Sequence, residues 1–261
     1  MNAPAAAAGA PLLRVEGLSK HFQGLRAVDD VSFDMQRGEL VGLIGPNGAG
    51  KSTLFNCVAG AIRRTAGEVH FEGRPIAGLD PARIARLGIA RTYQNLRIFP
   101  DITVFDNVSA GAIGRHGTSL LGALVPALGR RRDEAIADTT LAALERFDLL
   151  AHADAPAGNL AYGQKKHLEI ARALALRPTL LLLDEPAAGL NDTETGELAA
   201  RLRKLRDEGL TILLVEHDMP MVMRICDRIV VLESGRKIAE GAPAAIRADA
   251  AVRAAYLGDD A

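Results

Sequence analysis

Hydrophobic and polar positions along the chain follow two periods. Residues 12–18 and 27–35 alternate apolar and polar, the pattern of half-buried strands, and residues 19–24 between them read as a turn region. Leu40-Val41-Gly42-Leu43-Ile44 and Leu180-Leu181-Leu182-Leu183 are continuously apolar, which predicts strands covered on both faces. Further strands are expected at 67–73, 89–93, 210–215, 227–232 and 235–239. Helical spacing follows residue 51 and recurs at 81–87, from 103, at 130–150, at 168–176 and at 193–208. Asp80 reads as an N-cap with Pro81 in the first helical position, and Gly88 as the stop. In the 130–150 helix the apolar side is assigned to Ile136, Leu141, Leu144 and Phe147. Strands alternating with helices call for a parallel α/β sheet, and residues 95–165 read as an inserted helical lobe.

Composition narrows the classes. With 261 residues, 48% apolar and 24% charged, the chain suits one large domain or two unequal lobes with ample core. A net charge of −1 supplies no basic field for nucleic acid, and the absence of Trp argues against a base-stacking surface. No apolar run approaches the roughly 20 residues that span a bilayer; the patch at 120–128 is too short. Residues 1–11 are Ala-, Pro- and Gly-rich and read as a disordered tail, without the features of a signal peptide. Cys57 and Cys226 form no CxxC, so free thiols in a reducing compartment are expected.

Chemistry enters with Gly45-Pro46-Asn47-Gly48-Ala49-Gly50-Lys51-Ser52-Thr53. It meets the pattern GxxxxGK[ST] between an apolar strand and a helix, the context that gives the pattern meaning. Glycines let a backbone nest wrap a diphosphate, and the helix start adds its positive dipole end. Lys51 is placed to reach the β- and γ-phosphates and the Ser52 hydroxyl to bind Mg²⁺. A second element is the apolar strand that delivers Asp184 and Glu185. An Asp at the carboxyl end of a core strand lies where open α/β sheets bind ligands. Asp184 is assigned to Mg²⁺ through water, and Glu185 to polarising a water for attack on the γ-phosphate.

These motifs in this order resemble the ATP-binding subunit of an ABC transporter, over almost everything from residue 12 to 239. The resemblance implies a P-loop NTPase (RecA-like) core at 12–94 and 166–240, with an antiparallel β subdomain, a helical subdomain at 95–165 and a C-terminal tail at 241–261. It makes Gly45, Asn47, Gly48, Ala49, Gly50, Lys51, Ser52 and Thr53 the Walker A nucleotide loop, and Asp184 and Glu185 Walker B. It makes Tyr162, Gly163 and Gln164 part of the signature that holds a partner's ATP, and residues 187–192 the D-loop. It assigns Gln94 to Mg²⁺ and the attacking water, His217 to the γ-phosphate and Phe22 to stacking on adenine. Cofactors implied are ATP and Mg²⁺. Partners implied are a second ATP-binding subunit, identical or paralogous, two integral-membrane permease subunits and, indirectly, a periplasmic binding protein. No nucleic acid is implied, and the location is the cytoplasmic face of the inner membrane.

One departure stands out: the signature usually reads LSGGQ, and here it is Leu160-Ala161-Tyr162-Gly163-Gln164. That form, with residues 90–100, Glu185-Pro186-Ala187-Ala188-Gly189-Leu190-Asn191 and the ending Ala255-Tyr256-Leu257-Gly258, is similar to importers of branched-chain amino acids. Urea and short-chain amide importers have similar subunits, so both cargo classes stay open. A soluble ABC ATPase would bring two cassettes or long coiled coils, and a GTPase an NKxD; the sequence holds neither.

Overall fold

The structure is a computed structural model that describes residues 10–93, 96–116 and 126–257. Expectations for the first nine residues, for Gln94, for residues 120–125 and for Gly258 lie outside the described residues. The chain forms two compact units, residues 1–84 with 203–261, and residues 85–202.

The first unit holds an antiparallel sheet. Strand β1 (Leu13–Phe22) lies between β2 (Leu25–Met35) and β4 (Ala66–Phe71), with the short β5 (Arg74–Pro75) beyond β4. The turn expected at 19–24 is a correction. β1 runs on to Phe22, which pairs with Leu25 across Gln23 and Gly24 at φ 43° and 99°. Two successive positive φ values make the tight hairpin turn that suits strand twist, so two residues suffice where six were assigned. The same unit holds β3 (Leu40–Ile44), parallel to β8 (Thr211–Val215) on one side and β9 (Arg228–Glu233) on the other, with β10 (Arg236–Gly241) antiparallel to β9. β3 is buried throughout. A Cβ on Gly42 would come within 3.0 Å of Cys226 Sγ and 3.1 Å of Val222 Cγ1, which is how closely α7 (Met219–Ile225) packs on the strand. Helix α1 (Lys51–Val58) buries Leu54, Phe55 and Val58 against this core. Helix α2 (Pro81–Leu87) starts as expected, with Asp80 Oδ1 accepting the Arg83 N–H at 2.9 Å. The unit closes with α8 (Pro243–Ala248) and α9 (Ala250–Leu257).

In the second unit β6 (Ile89–Arg91) runs parallel to β7 (Leu180–Asp184), with Ile89 opposite Leu180. Three helices pack together: α3 (Val104–His116), α4 (Pro126–Glu145) and α5 (Tyr162–Leu174). A Cβ on Gly111 would lie 2.2 Å from the Arg172 carbonyl, so α3 and α5 meet backbone to backbone there. The apolar side assigned to α4 needs correction. Leu144 and Phe147 are buried, Ile136 is half-buried and Leu141 is exposed, while Thr139, Thr140 and Ala143 take buried places. Thr139 and Thr140 hydroxyls donate to the carbonyls of Ala135 and Ile136 at 2.7 and 2.8 Å. With the hydroxyl satisfied one turn back, threonine packs as an apolar residue. α6 (Asp192–Asp207) opens with a reciprocal cap: Asn191 Oδ1 accepts from the Glu194 N–H, and the Asn191 N–H donates to Glu194 Oε2, both at 3.0 Å.

Candidate nucleotide-binding site

The glycine loop belongs to the first unit. It leaves β3 after Ile44 and enters α1 at Lys51, with Gly45, Gly48 and Gly50 at φ 150°, 79° and 97°. The three differ in what they require. A Cβ on Gly45 would lie 2.1 Å from the Leu232 carbonyl oxygen, and one on Gly50 2.2 Å from that of Ala27. Both are excluded by main-chain contact. A Cβ on Gly48 meets nothing within 4 Å, so only its φ asks for glycine. Main-chain bonds tie the loop down: Ala49 N–H to the Pro46 carbonyl (3.2 Å), Gly235 N–H to Ala49 (3.1 Å) and Asp29 N–H to Gly235 (2.8 Å).

Asn47 and Ser52 are exposed, Thr53 is half-buried and Ala49 is buried. Lys51 is buried, and its Nζ donates to the carbonyls of Gly45 (2.7 Å) and Pro46 (2.9 Å). The first N–H groups of α1 have no acceptor within the helix, and the residue at its N-cap, Gly50, brings no side-chain acceptor. They present a concentrated positive end to any anion held by the loop. Phe22, at the hairpin end, keeps 43% of its surface exposed, with Lys20 Nζ 4.5 Å from the ring centroid. His217 is exposed, its N–H donating to Glu216 Oε2 at 3.0 Å. It directly precedes Asp218, which caps α7 through the Met221 N–H at 2.8 Å. The phenol of Tyr256, on α9, is pushed up to about 12 by burial, while a hydrogen bond to the Gly45 backbone pulls the other way.

The acidic strand end and the signature turn belong to the second unit. Asp184 ends β7, is 4% exposed, and donates its N–H to Thr92 Oγ1 at 3.4 Å. Glu185 follows at φ +49°, a left-handed conformation that costs a non-glycine residue about 1–3 kcal/mol and collects at functional sites. Helix α5 begins at Tyr162, earlier than expected, so Tyr162, Gly163 and Gln164 form its first turn. Ala161 makes no side-chain cap there. Gln164 is turned back on the helix start: Oε1 accepts the Ala161 N–H at 3.0 Å, and Nε2 lies 3.0 Å from His152 Nε2. A Cβ on Gly163 would come within 2.8 Å of Glu194 Oε1.

Thus Phe22, residues 45–53 and His217 lie in one unit, and Asp184, Glu185 and the signature turn in the other. Within the second unit the signature turn and the segment after β7 are brought together, because Tyr162 Oη donates to the Ala188 carbonyl and Lys166 Nζ to that of Glu185, both at 3.3 Å. Sequence reasoning passed over Lys166; the only available signal was a lysine four positions after Tyr162, on one helix face. It also passed over Glu169, whose buried carboxylate accepts the Tyr93 N–H at 3.2 Å and whose pKa burial pushes up. The Tyr93 ring is flanked by the guanidinium groups of Arg91 and Arg97, at 4.4 and 4.2 Å.

A glycine loop on a parallel strand, with a buried strand ending in two carboxylates and a glycine-bearing helix start, defines an ATP-binding cassette. The ABC transporter family model matches residues 28–188, and the chain belongs to that family. The fold is accordingly that of a P-loop nucleotide-binding ATPase. A second model, for the branched-chain amino acid ATP-binding cassette transporter, matches residues 236–261. More particularly, the chain is 46% identical over 252 residues to the high-affinity branched-chain amino acid transport ATP-binding protein LivG of Salmonella typhimurium, covering 95% of this chain and 98% of that one. Among solved structures it is similar to the ADP conformation of an ATP-binding cassette of an ABC transporter (31% identity, TM-score 0.82, 96% and 100% of the two chains). It is also similar to a dimeric cassette in a post-hydrolysis state bound to ADP and Pi (26% identity, TM-score 0.75, 88% and 98%).

Proposed function

We propose that this chain is the ATP-hydrolysing subunit of an importer for branched-chain amino acids. The nucleotide reading is carried by the loop at Gly45 to Ser52, whose left-handed glycines lead into an uncapped helix start beside a buried ammonium. The cargo reading is supported by identity to LivG along nearly the whole of both chains and by the match at 236–261.

The family mechanism then assigns the residues. Residues 45–53 cradle the phosphates, with Lys51 bonding the β- and γ-phosphates, and Phe22 stacks on adenine. Mg²⁺ suits the donors present: the Ser52 hydroxyl and the Asp184 carboxylate are hard oxygen ligands, and Gln94 adds an amide oxygen. Among the described residues no group of three or more His, Cys, Asp or Glu gathers to hold a metal. When bound, Mg²⁺ neutralises charge on the β- and γ-oxygens. Glu185 takes the proton of the attacking water and His217 bonds the γ-phosphate. The first turn of α5, with Tyr162, Gly163 and Gln164, faces the γ-phosphate of nucleotide held by a second cassette, identical or paralogous. Ala161 supplies no hydroxyl, so the anion contact falls to N–H groups and the helix dipole. Residues 95–165 serve as the helical subdomain, between core segments 12–94 and 166–240 and before the tail at 241–261. Among the described residues no helix is long and apolar enough to cross a membrane. From its membership of the ABC transporter family we infer that the chain works peripherally, at the cytoplasmic face of the inner membrane, on two permease subunits fed by a periplasmic binding protein.

Uptake measurements test this. In cells whose own branched-chain importer lacks its LivG-type subunit, this chain restores uptake of labelled leucine. Restored uptake of urea or acetamide alone would reassign the cargo, and no restored uptake of any of them would overturn the reading.

A further inference from the structure

Lys166 and Tyr162 lie one turn apart on α5 and hold one short stretch of chain, residues 185–189. Lys166 is 3% exposed, and its Nζ donates to the main-chain carbonyl of Glu185 at 3.3 Å. The Tyr162 hydroxyl donates to the carbonyl of Ala188 at 3.3 Å. Its ring packs on Gly189, where a Cβ would come within 2.8 Å of Cε1. The stretch closes on itself through the Ala188 N–H, which donates to the same Glu185 carbonyl at 3.2 Å, and through Leu190 N–H to the Ala187 carbonyl at 3.0 Å. Burying an ammonium is costly, and an aliphatic side chain would fill this volume without that cost. What the ammonium adds is a charge-assisted bond to a residue held at φ +49°. Such a backbone conformation persists only where its surroundings impose it.

We propose that Lys166 and Tyr162 are positioning residues for Glu185. They clamp its left-handed backbone to the first turn of α5, so that nucleotide held against that turn by the partner cassette sets the alignment of this chain's own carboxylate. The inference rests on the reading of Glu185 as the base and of the α5 start as the partner's phosphate contact. Each chain then carries an internal link between the two nucleotide sites, running from helix start to base without leaving α5 and the segment it holds.

Steady-state turnover, ATP affinity and amide exchange of the full-length chain test it, in Lys166→Met, Tyr162→Phe, the double variant, Lys166→Arg and Glu185→Gln. Lys166→Met lowers kcat about tenfold or more, since a misplacement near 1 Å can cost ~10²-fold, and leaves the ATP dissociation constant and melting temperature unchanged. Tyr162→Phe loses less, the double variant loses less than the product of the two, and Lys166→Arg recovers most of the rate. Amide exchange at Ala188 speeds up in Lys166→Met while β7 stays protected, a readout that needs no turnover. A normal kcat or normal Ala188 exchange in Lys166→Met overturns the inference, as does a kcat loss matched by equal losses of affinity and melting temperature. If Glu185→Gln is inert while Lys166→Met is normal, this inference alone falls; if Glu185→Gln turns over normally, the base assignment falls first.

Discussion

The ammonium of Lys51 lies 2.7 Å from the carbonyl oxygen of Gly45, the residue that opens the same loop. The charge that would meet a phosphate is thus held on the loop that would wrap it. Lys51→Ala removes this charge while leaving the left-handed frame of the glycines. Loss of charged hydrogen bonds worth about 1.5–3 kcal/mol each weakens ATP binding by at least tenfold. Titration calorimetry with ATP and Mg²⁺ reads the change, and affinity equal to wild type would remove Lys51 from phosphate contact.

Glu185→Gln keeps the shape of the side chain and removes its basicity. Turnover falls about 10²- to 10⁴-fold, the usual worth of a general base. ATP still binds, and closed dimers accumulate because the terminal bond is not broken. Phosphate release and size-exclusion chromatography in ATP measure the two effects, and turnover at the wild-type rate would show that another group takes the proton.

The loop glycines separate space from conformation. Gly48→Ala meets open surroundings at φ 79° and costs about 1–2 kcal/mol of left-handed strain. Gly50→Ala drives a methyl to 2.2 Å from the Ala27 carbonyl and lowers the melting temperature further. Calorimetric melting of the two variants decides, and equal melting temperatures would contradict the tight packing of Gly50 on β2.

His167 gives stability a pH dependence. It is buried against Phe147, with ring centroids 5.4 Å apart, and burial first, then Arg201, holds its pKa below the ordinary 6.5. A depressed pKa means the folded chain keeps His167 neutral while the unfolded chain takes up a proton. The stability is therefore present above 6.5 and is lost as pH falls through the folded value. Urea unfolding from pH 8 to pH 5 should show a loss that His167→Leu reduces. An identical pH slope in the variant would place the effect elsewhere.

The nucleotide loop was legible because its demands are local. Three glycines, a lysine and a hydroxyl fall within the eight residues 45–52, and the pattern they make is set by near neighbours in sequence. The two apolar strands were legible for the same reason, since unbroken runs such as 180–183 suit burial on both faces. Elements whose burial depends on other elements were read less well. Periodicity puts Leu141 inside, and the structure puts it outside, because α4 buries the face that carries Thr139, Thr140 and Ala143. The sequence pattern places Phe22 in a turn, and the structure ends β1 on it, because the partner strand β2 extends the ladder to the hairpin.

The sequence by itself determined the order of motifs, the chemistry of the loop and the pair of carboxylates at and just after the end of β7. The tertiary structure alone decided that Lys166 reaches the Glu185 carbonyl, that Tyr162 fills the space above Gly189, and that Leu232 and Ala27 leave room for nothing larger than glycine at positions 45 and 50. The division has a physical cause. Backbone conformation and periodic burial are properties of neighbouring residues. A bond between two side chains or carbonyls far apart in the chain exists only once packing has fixed the distance between the elements that carry them.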